Sequence, residues 1–230
     1  MSDKKNRKFF ISFKSGNFED KKRGLFIVFE GIDGCGKGTQ LKLAHSYLWD
    51  YSKQIDVFTT REPTRNFPEI RKKMASRKTV GDDRIWYAQQ FTADRINHCE
   101  KYIFPLLKKG TLVLCDRYYH STLTYQNTQG IAFEELLEMQ RQKGILIPDL
   151  TFIYDCPVEI AFERRREEGA TDVFEKDLEF QKKLRLNYLE IPEKLRDEKI
   201  ILIDSTSPIE KVSWETKKEL EKLLQNYINI

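Results

Sequence analysis

The chain has 230 residues, of which 40% are apolar and 33% are charged, and this balance excludes collagen-like, low-complexity and largely disordered proteins. Its longest apolar run, Leu25–Phe29, is far shorter than the ~20 residues that span a bilayer, so we expect no membrane contact. The four cysteines are widely spaced, which argues against a zinc site and for free thiols in a reducing compartment. No apolar signal segment follows the basic N-terminus, and we therefore expect a cytoplasmic protein.

The net charge of +4 comes from residues 1–23, which carry eight basic and three acidic residues. The other 32 basic and 33 acidic residues leave the body of the chain nearly neutral, so we expect no nucleic-acid partner. Four phenylalanines also lie in this N-terminal extension. The extension is either a poorly ordered terminus or contains a short aromatic segment that docks on the body or on a partner.

From residue 24 onward, apolar runs typical of buried strands alternate with patterns typical of helices. The strands are predicted at Leu25–Glu30, Ile55–Thr59, Thr111–Cys115, Leu150–Tyr154 and Lys199–Ile203. The helices are predicted at about 37–52, 67–77, 82–108, 133–142, 157–168, 176–195 and 208–227. Strands that are apolar along their whole length indicate a parallel sheet covered on both faces. We predict one α/β domain over residues 24–230, a three-layer α/β/α structure with a five-stranded parallel sheet.

A glycine-rich segment follows the first predicted strand: Gly31-Ile32-Asp33-Gly34-Cys35-Gly36-Lys37-Gly38-Thr39. It contains G-x-x-x-x-G-K between a strand and a helix, which is the context of a phosphate-binding P-loop. The glycines let backbone N–H groups point at phosphate oxygens, and the helix N-terminus and Lys37 add positive charge. A tight structural turn is the alternative, but such a turn has no need of the lysine. Gly38 stands where Ser or Thr usually follows the lysine, so either Thr39 is the hydroxyl partner of Mg²⁺ or the metal is held mostly by water and phosphate.

The predicted strand at 111–115 is followed by Asp116, as in the second signature of P-loop proteins, where an acid orients metal-bound water. A surface aspartate that closes a strand is the alternative. A P-loop does not decide function, because switches, motors, transporters and kinases share it. The sequence lacks both the N-K-x-D motif of GTPases and the L-S-G-G-Q-like motif of transporter ATPases.

Arginines and aromatic residues follow the predicted strands, at the edge where a parallel sheet opens its cleft. Phe91 and Arg95 lie four residues apart on one helix face, where a ring can stack on a flat base and a guanidinium can bond its edge. Spacing alone, however, favours a core role for Phe91 and a surface acid as partner of Arg95. Arg117, next to Asp116, is near enough to the P-loop to bridge two phosphates.

Four motifs then resemble the thymidylate kinase family of P-loop nucleoside monophosphate kinases. They are T-R-E-P at 60–63, F-T-A-D-R at 91–95 with H at 98, D-R-Y at 116–118 with S-T at 121–122 and Y-Q at 125–126, and P-D-L-T-F-I-Y-D at 148–155. They keep the family's order and spacing over about residues 24–205. The resemblance implies a nucleoside monophosphate kinase fold with a short lid, transfer from MgATP to dTMP to give dTDP, and a homodimer.

The resemblance also implies roles for single residues. On the donor side, Gly31 to Thr39 bind the ATP phosphates, Asp33 lies near the metal and the deoxyribose 3′-OH, and Thr39 and Asp116 hold Mg²⁺, largely through water and phosphate. On the acceptor side, the resemblance implies that Phe91 stacks on the base and that Arg95 contacts its edge. Arg71 and Arg117 would bind the acceptor phosphate, with Glu62 close by. Thr122 and Tyr125 would contact the base and the sugar, flanked by Ser121 and Gln126.

The lid is predicted at about residues 164–175. Gly34 stands where one branch of the family carries an arginine, and in the other branch a lid arginine reaches the donor phosphates instead. Glu168 and Val173 occupy the usual lid arginine positions. The donor-side arginine is therefore Arg164, Arg165 or Arg166. We take Arg165 as catalytic, with Lys37, Arg117 and Asp33; the alternative is a solvated basic helix end.

Two other functions remain open at this point. G-K-G-T-Q resembles the P-loop variant of adenylate kinases, which favours another nucleoside monophosphate kinase. The pair Phe91 and Arg95 does not support this alternative. The departures in the lid favour a nucleotide-binding protein without turnover.

Overall fold

The computed structural model of this chain describes residues 23–75, 83–142, 145–169 and 178–228. The predictions for the N-terminal extension, apart from Arg23, and for lid residues 170–175 lie outside the described residues. Among the helices within those ranges, none combines the length and the apolar character needed to cross a bilayer.

Five parallel strands form one sheet in the order β2-β3-β1-β4-β5. They are β1 (Phe26–Glu30), β2 (Val57–Arg61), β3 (Leu112–Asp116), β4 (Leu150–Asp155) and β5 (Ile200–Asp204). Each strand lies within two residues of its predicted bounds. The predicted five-stranded parallel sheet is confirmed. Its three central strands, β1, β3 and β4, are buried along almost their whole length, and such strands are recognisable from their apolar residues alone.

The helices are α1 (Lys37–Tyr51), α2 (Pro68–Ala75), α3 (Arg84–His98), α4 (Phe104–Lys108), α5 (Tyr119–Thr128), α6 (Phe133–Gln142), α7 (Val158–Glu167), α8 (Leu178–Lys194) and α9 (Ile209–Ile228). Alternate side chains of the central strand β1 reach opposite faces of the sheet. The ring of Phe29 stacks with Tyr154, whose hydroxyl bonds Thr216 on α9. The side chain of Glu30 instead accepts hydrogen bonds from Ser121 on α5 and Tyr188 on α8. Helices therefore cover both faces, and the three-layer α/β/α prediction is confirmed.

The structure differs from the predicted helices at two places. No helix is predicted between residues 116 and 133, yet α5 lies there with polar side chains such as His120, Thr124 and Gln126 buried. A helix that buries polar side chains has no apolar periodicity to detect. The long helix predicted at 82–108 is divided by a π-helical turn at Cys99–Ile103. Pro105 follows this turn, and it lacks the N–H that a regular helix requires.

Candidate active site

The candidate site lies where the carboxyl ends of β1, β2 and β3 meet. Asp116 at the end of β3 pairs in register with Phe29 of β1 and with Arg61 of β2. Three segments leave the sheet at this edge: the glycine-rich loop after β1, Glu62 after β2 and Arg117 after β3. In open α/β sheets, ligands bind in the crevice at the carboxyl ends of the strands.

The glycine-rich loop surrounds the amino group of Lys37. Gly36 is the N-cap of α1 with φ 89°, a left-handed conformation that favours glycine, and Lys37 is the first helical residue. The side chain of Lys37 is buried, and its Nζ lies 3.3 Å from the carbonyl oxygen of Ile32 and 3.4 Å from Oδ1 of Asp33. The ammonium group therefore lies in the loop beside the helix N-terminus, an arrangement suited to a phosphate group.

Arg117 links this loop to α5. Its Nη2 donates to Oδ1 of Asp33 at 2.6 Å and to the hydroxyl of Tyr125 at 3.2 Å, and its Nη1 donates to Oγ of Ser121 at 3.0 Å. The φ of Arg117 is 69°, a conformation that is uncommon outside glycine and concentrates at functional sites. Burial raises the pKa of the Asp33 carboxyl, but the charges of Arg117 and Lys37 outweigh this and hold that pKa well below its usual range. Asp33 is therefore ionised at neutral pH.

The guanidinium of Arg95, on α3, is held by a network of buried acceptors. Its Nε donates to Oε2 of Glu62 at 2.8 Å, its Nη1 to Oε1 of Gln140 at 2.8 Å and its Nη2 to Oγ1 of Thr122 at 3.2 Å. The other oxygen of Glu62 lies 3.0 Å from Nδ1 of His98. The prediction that Arg95 pairs with a surface acid, which spacing alone favours, is wrong. Arg95 is only 2% exposed and pairs with the buried Glu62, because a guanidinium away from water needs an acceptor of opposite charge.

These side chains surround a cavity of about 340 Å³. It contains an aromatic ring, since Phe91 lines it and stacks at 5.9 Å on Tyr87. Flat rings, a few polar groups and charged residues in one cavity suit a small ligand with a planar part and an anionic part. Nine residues predicted from the sequence line it together: Asp33, Glu62, Phe91, Arg95, Arg117, Ser121, Thr122, Tyr125 and Gln126.

Sequence reasoning missed several residues of this site, among them Lys73 and Gln140. Lys73 on α2 lines the cavity, with its Nζ 2.8 Å from Oδ1 of Asp83 and 4.3 Å from the ring centre of Trp86. Gln140 on α6 bonds Arg95 from outside the lining. Neither residue belongs to a local motif, and both reach the site through contacts between distant segments, so no signal in the sequence marks them.

The thymidylate kinase family model matches residues 29–215. The chain belongs to the thymidylate kinase family. A probable thymidylate kinase of Pyrococcus abyssi is 39% identical over 184 residues, which cover 78% of this chain and 88% of that protein. The thymidylate kinase of Bradyrhizobium sp. is 38% identical over 211 residues, with 86% and 91% covered. That of Bartonella quintana is 36% identical over 215 residues, with 89% and 99% covered. As a member of the thymidylate kinase family, the protein is an enzyme, a phosphotransferase.

Arg71, predicted as an acceptor-phosphate ligand from the likeness to thymidylate kinases, does not line the cavity of Phe91. It lines an adjacent cleft of about 770 Å³, together with Gly38 and Asp116. Its Nη2 lies 3.4 Å from the carbonyl oxygen of Pro63, a residue that lines both the cleft and the cavity. Arg71 and Arg117 thus line two different pockets that share Pro63.

The three arginines at the end of α7 differ in their surroundings. Nη2 of Arg164 donates to the carbonyl oxygen of Ser205 at 3.0 Å. Arg165 lines a small cavity next to Asp33, and its charge contributes to the lowered pKa of that carboxyl. Arg166 is exposed. Arg165 is therefore the one that lies beside Asp33, whereas Nη1 of Arg164 lies 3.9 Å from the position that a Cβ atom would take at Gly36 of the loop.

The residues near the loop fit a magnesium ion of the kind that thymidylate kinases, like other phosphotransferases, use. Among the described residues, no group of three or more His, Cys, Asp or Glu side chains is placed to hold a metal. Magnesium needs fewer, because it keeps several waters and is bound by one or two carboxylates plus substrate phosphates. Oδ1 of Asp116 is buried without a hydrogen-bond partner in the described part of the chain, which is unusual for a buried oxygen. Thr39, the predicted hydroxyl ligand, is exposed in the first turn of α1.

Proposed function

We propose that this enzyme transfers the γ-phosphate of ATP to dTMP, giving dTDP and ADP. The observation that carries the proposal is a single cavity that contains both a base-reading pair, Phe91 and Arg95, and a phosphate-side pair, Asp33 and Arg117. Asp33 belongs to the glycine-rich loop, where it accepts hydrogen bonds from both Lys37 and Arg117. The names of the relatives, which are thymidylate kinases, support the same substrate.

The part of the cavity that contains Phe91 and Arg95 favours thymine as the base. Phe91 offers its ring for stacking, and Arg95 offers N–H groups that donate but cannot accept. Thymine presents the acceptor O4 at the edge where cytosine presents an amino donor, so cytosine leaves two donors facing each other. Tyr125 lies half-buried beside Arg117, and we propose that it crowds a ribose 2′-OH and so favours the deoxyribose.

The transfer reaction requires no nucleophilic side chain, because the attacking atom is an oxygen of the acceptor phosphate and is already anionic. The chain must instead overcome the repulsion between two polyanions and align them. Lys37, Arg117 and Arg165 supply positive charge for this, and the ionised Asp33 holds Arg117 in position at 2.6 Å. Arg71 reaches the acceptor phosphate from the adjacent cleft. When bound through Asp116 and Thr39, magnesium supplies further charge neutralisation on the donor phosphates.

We further propose that the enzyme is a cytoplasmic homodimer with a lid over residues 164–175. Exposed apolar side chains support a partner surface: Phe58 on the edge strand β2 is 38% exposed, and Tyr102, which lines the same cleft, is 43% exposed. All four cysteines are free and buried thiols, which suits a reducing compartment. Light scattering on the purified full chain measures its oligomeric state directly.

A panel of monophosphates tests the proposed reaction. With ATP and Mg²⁺, we expect the highest kcat/KM for dTMP and much lower values for dCMP, CMP and AMP, measured as ADP release. Faster turnover of AMP would support an adenylate-like enzyme instead, and no turnover of any monophosphate would support a binding protein.

Arg117→Ala tests the mechanism. We expect turnover to fall by on the order of 10³, because the arginine stabilises charge on the transferring group. Circular dichroism and the unfolding midpoint are expected to show an intact fold. A kcat close to that of the wild type would remove Arg117 from the mechanism.

A further inference from the structure

The guanidinium of Arg95 is fixed by acceptors at all three of its nitrogen atoms. Three of its five N–H donors are engaged, by Glu62, Gln140 and Thr122. Two N–H donors are left for other acceptors, and Arg95 lines the cavity. What Arg95 can bond in a ligand therefore depends on how its plane is held.

Of these three acceptors, Gln140 alone lies outside the cavity lining, and it is only 1% exposed. Without Gln140, the group would be held by Glu62 at Nε and by the longer bond of 3.2 Å from Nη2 to Thr122, a residue that itself lines the cavity. The bond from Nη1 to Gln140 at 2.8 Å fixes a second nitrogen and with it the plane of the group. Because a ligand in the cavity does not touch Gln140, this support persists when a ligand binds.

Gln140 is itself oriented by a chain of hydrogen bonds, here called the relay, that runs from Arg95 through Gln140 and Thr92 to the carbonyl oxygen of Ala88. Only one assignment of donors and acceptors satisfies it. A guanidinium only donates, so the oxygen of the Gln140 amide faces Arg95 and its Nε2 faces Oγ1 of Thr92 at 2.8 Å. The hydroxyl of Thr92 in turn donates to the carbonyl oxygen of Ala88 at 2.7 Å. Every polar atom of the relay has a partner, and such fully satisfied buried networks hold their members in one arrangement.

We propose that Gln140 is a positioning residue that acts through Arg95 to set the preference of the site for thymine over cytosine. The proposal rests on the proposed function, since it requires Arg95 to bond the base. A fixed donor that faces the amino group of cytosine cannot turn away, so cytosine is rejected. A guanidinium free to tilt bonds O4 of thymine less well and tolerates cytosine better.

The test compares Gln140→Met with wild-type enzyme. Methionine has nearly the length of glutamine but removes the acceptor for Arg95. We expect the KM for dTMP to rise at least about tenfold, as for a lost hydrogen bond to a charged group, while kcat and the KM for ATP stay within about twofold. We expect the ratio of kcat/KM for dTMP to that for dCMP to fall by about tenfold.

Two further variants separate positioning from a general effect on the fold. Gln140→Glu keeps an acceptor for Arg95 and is expected to restore most of the dTMP preference. Thr92→Val removes the anchor of the amide without touching Arg95, and is expected to lower the dTMP preference by about threefold. If Gln140→Met does not fold, the comparison of Thr92→Val with wild type decides the question.

The outcomes distinguish this inference from the proposed function. A wild type that turns over dTMP, together with variants that keep its dTMP preference and KM, overturns the role of Gln140 alone. An equal loss of kcat with both substrates at unchanged KM marks a purely structural residue and also overturns it. A wild type without dTMP turnover overturns the proposed function and this inference with it.

Discussion

Replacing Gly34 by alanine tests how closely the phosphate loop must approach α7. A Cβ atom at this position would lie 2.1 Å from the carbonyl oxygen of Ala161 and 2.9 Å from Cγ of Arg165. Gly34 also has φ 86°, a conformation that costs another residue about 1 kcal/mol. Overpacking against the backbone adds about 2 kcal/mol, so we expect the free energy of unfolding to fall by about 3 kcal/mol.

The same substitution is expected to lower the catalytic rate as well as the stability. The oxygen of Ala161 belongs to the backbone of α7 and cannot rotate away, so either the loop or the helix must move by about 1 Å. Misplacement by this distance can cost about 10² in rate, because the phosphates are no longer aligned. We therefore expect kcat/KM for ATP to fall about 100-fold in a coupled ADP-release assay with dTMP as acceptor.

Gly38→Ala is the matched control for stability. No atom lies within 4 Å of a Cβ added at Gly38, and this residue is in the first turn of α1. Alanine there is expected to keep the free energy of unfolding or to raise it by about 0.5 kcal/mol, through helix propensity. If Gly34→Ala has the unfolding midpoint and the kcat/KM of wild type, the close approach to Ala161 does not constrain the loop, and our account of it is wrong.

Three further perturbations follow from the site. Glu62→Gln removes the charge from a buried pair with Arg95, both less than 5% exposed, and is expected to cost about 3 kcal/mol in urea unfolding; a loss below about 1 kcal/mol would contradict the pairing. Phe91→Ala is expected to raise the KM for dTMP about tenfold while leaving that for ATP unchanged, because base stacking contributes about 1–3 kcal/mol. Asp33→Asn removes a carboxyl that burial alone would make less acidic, but whose pKa in the folded state is lowered by the charges of Arg117 and Lys37. The ionised carboxylate therefore stabilises the fold fully above about pH 4, and this contribution is lost as the pH falls further. The Tm difference between wild type and Asp33→Asn is expected to narrow from pH 5 to pH 3, and only modestly, since Asp33 is 41% exposed.

Much of the candidate site could be predicted because its residues belong to short motifs. The glycine-rich loop is one continuous segment, so its glycines and Lys37 are read together from the sequence. Phe91 and Arg95 lie on one turn-spaced face of α3, and both line the cavity. Helix α5 was not predictable in this way. Its buried Thr124 and Thr128 donate to backbone carbonyl oxygens of their own helix, so polar side chains occupy buried positions and the sequence pattern resembles that of a loop.

By itself, the sequence determined the five strands and the order of loop, strand and helix, because burial of an apolar run and the curl of a glycine loop depend on neighbouring residues. The tertiary structure alone decided which acid faces Arg95, that Gln140 supports it from 45 positions away, and that Arg71 lines the adjacent cleft rather than the cavity. The surroundings of Arg95 depend on how α3, α5 and α6 pack together. A buried guanidinium takes whichever acceptors that packing brings within about 3 Å, and no local pattern encodes that choice.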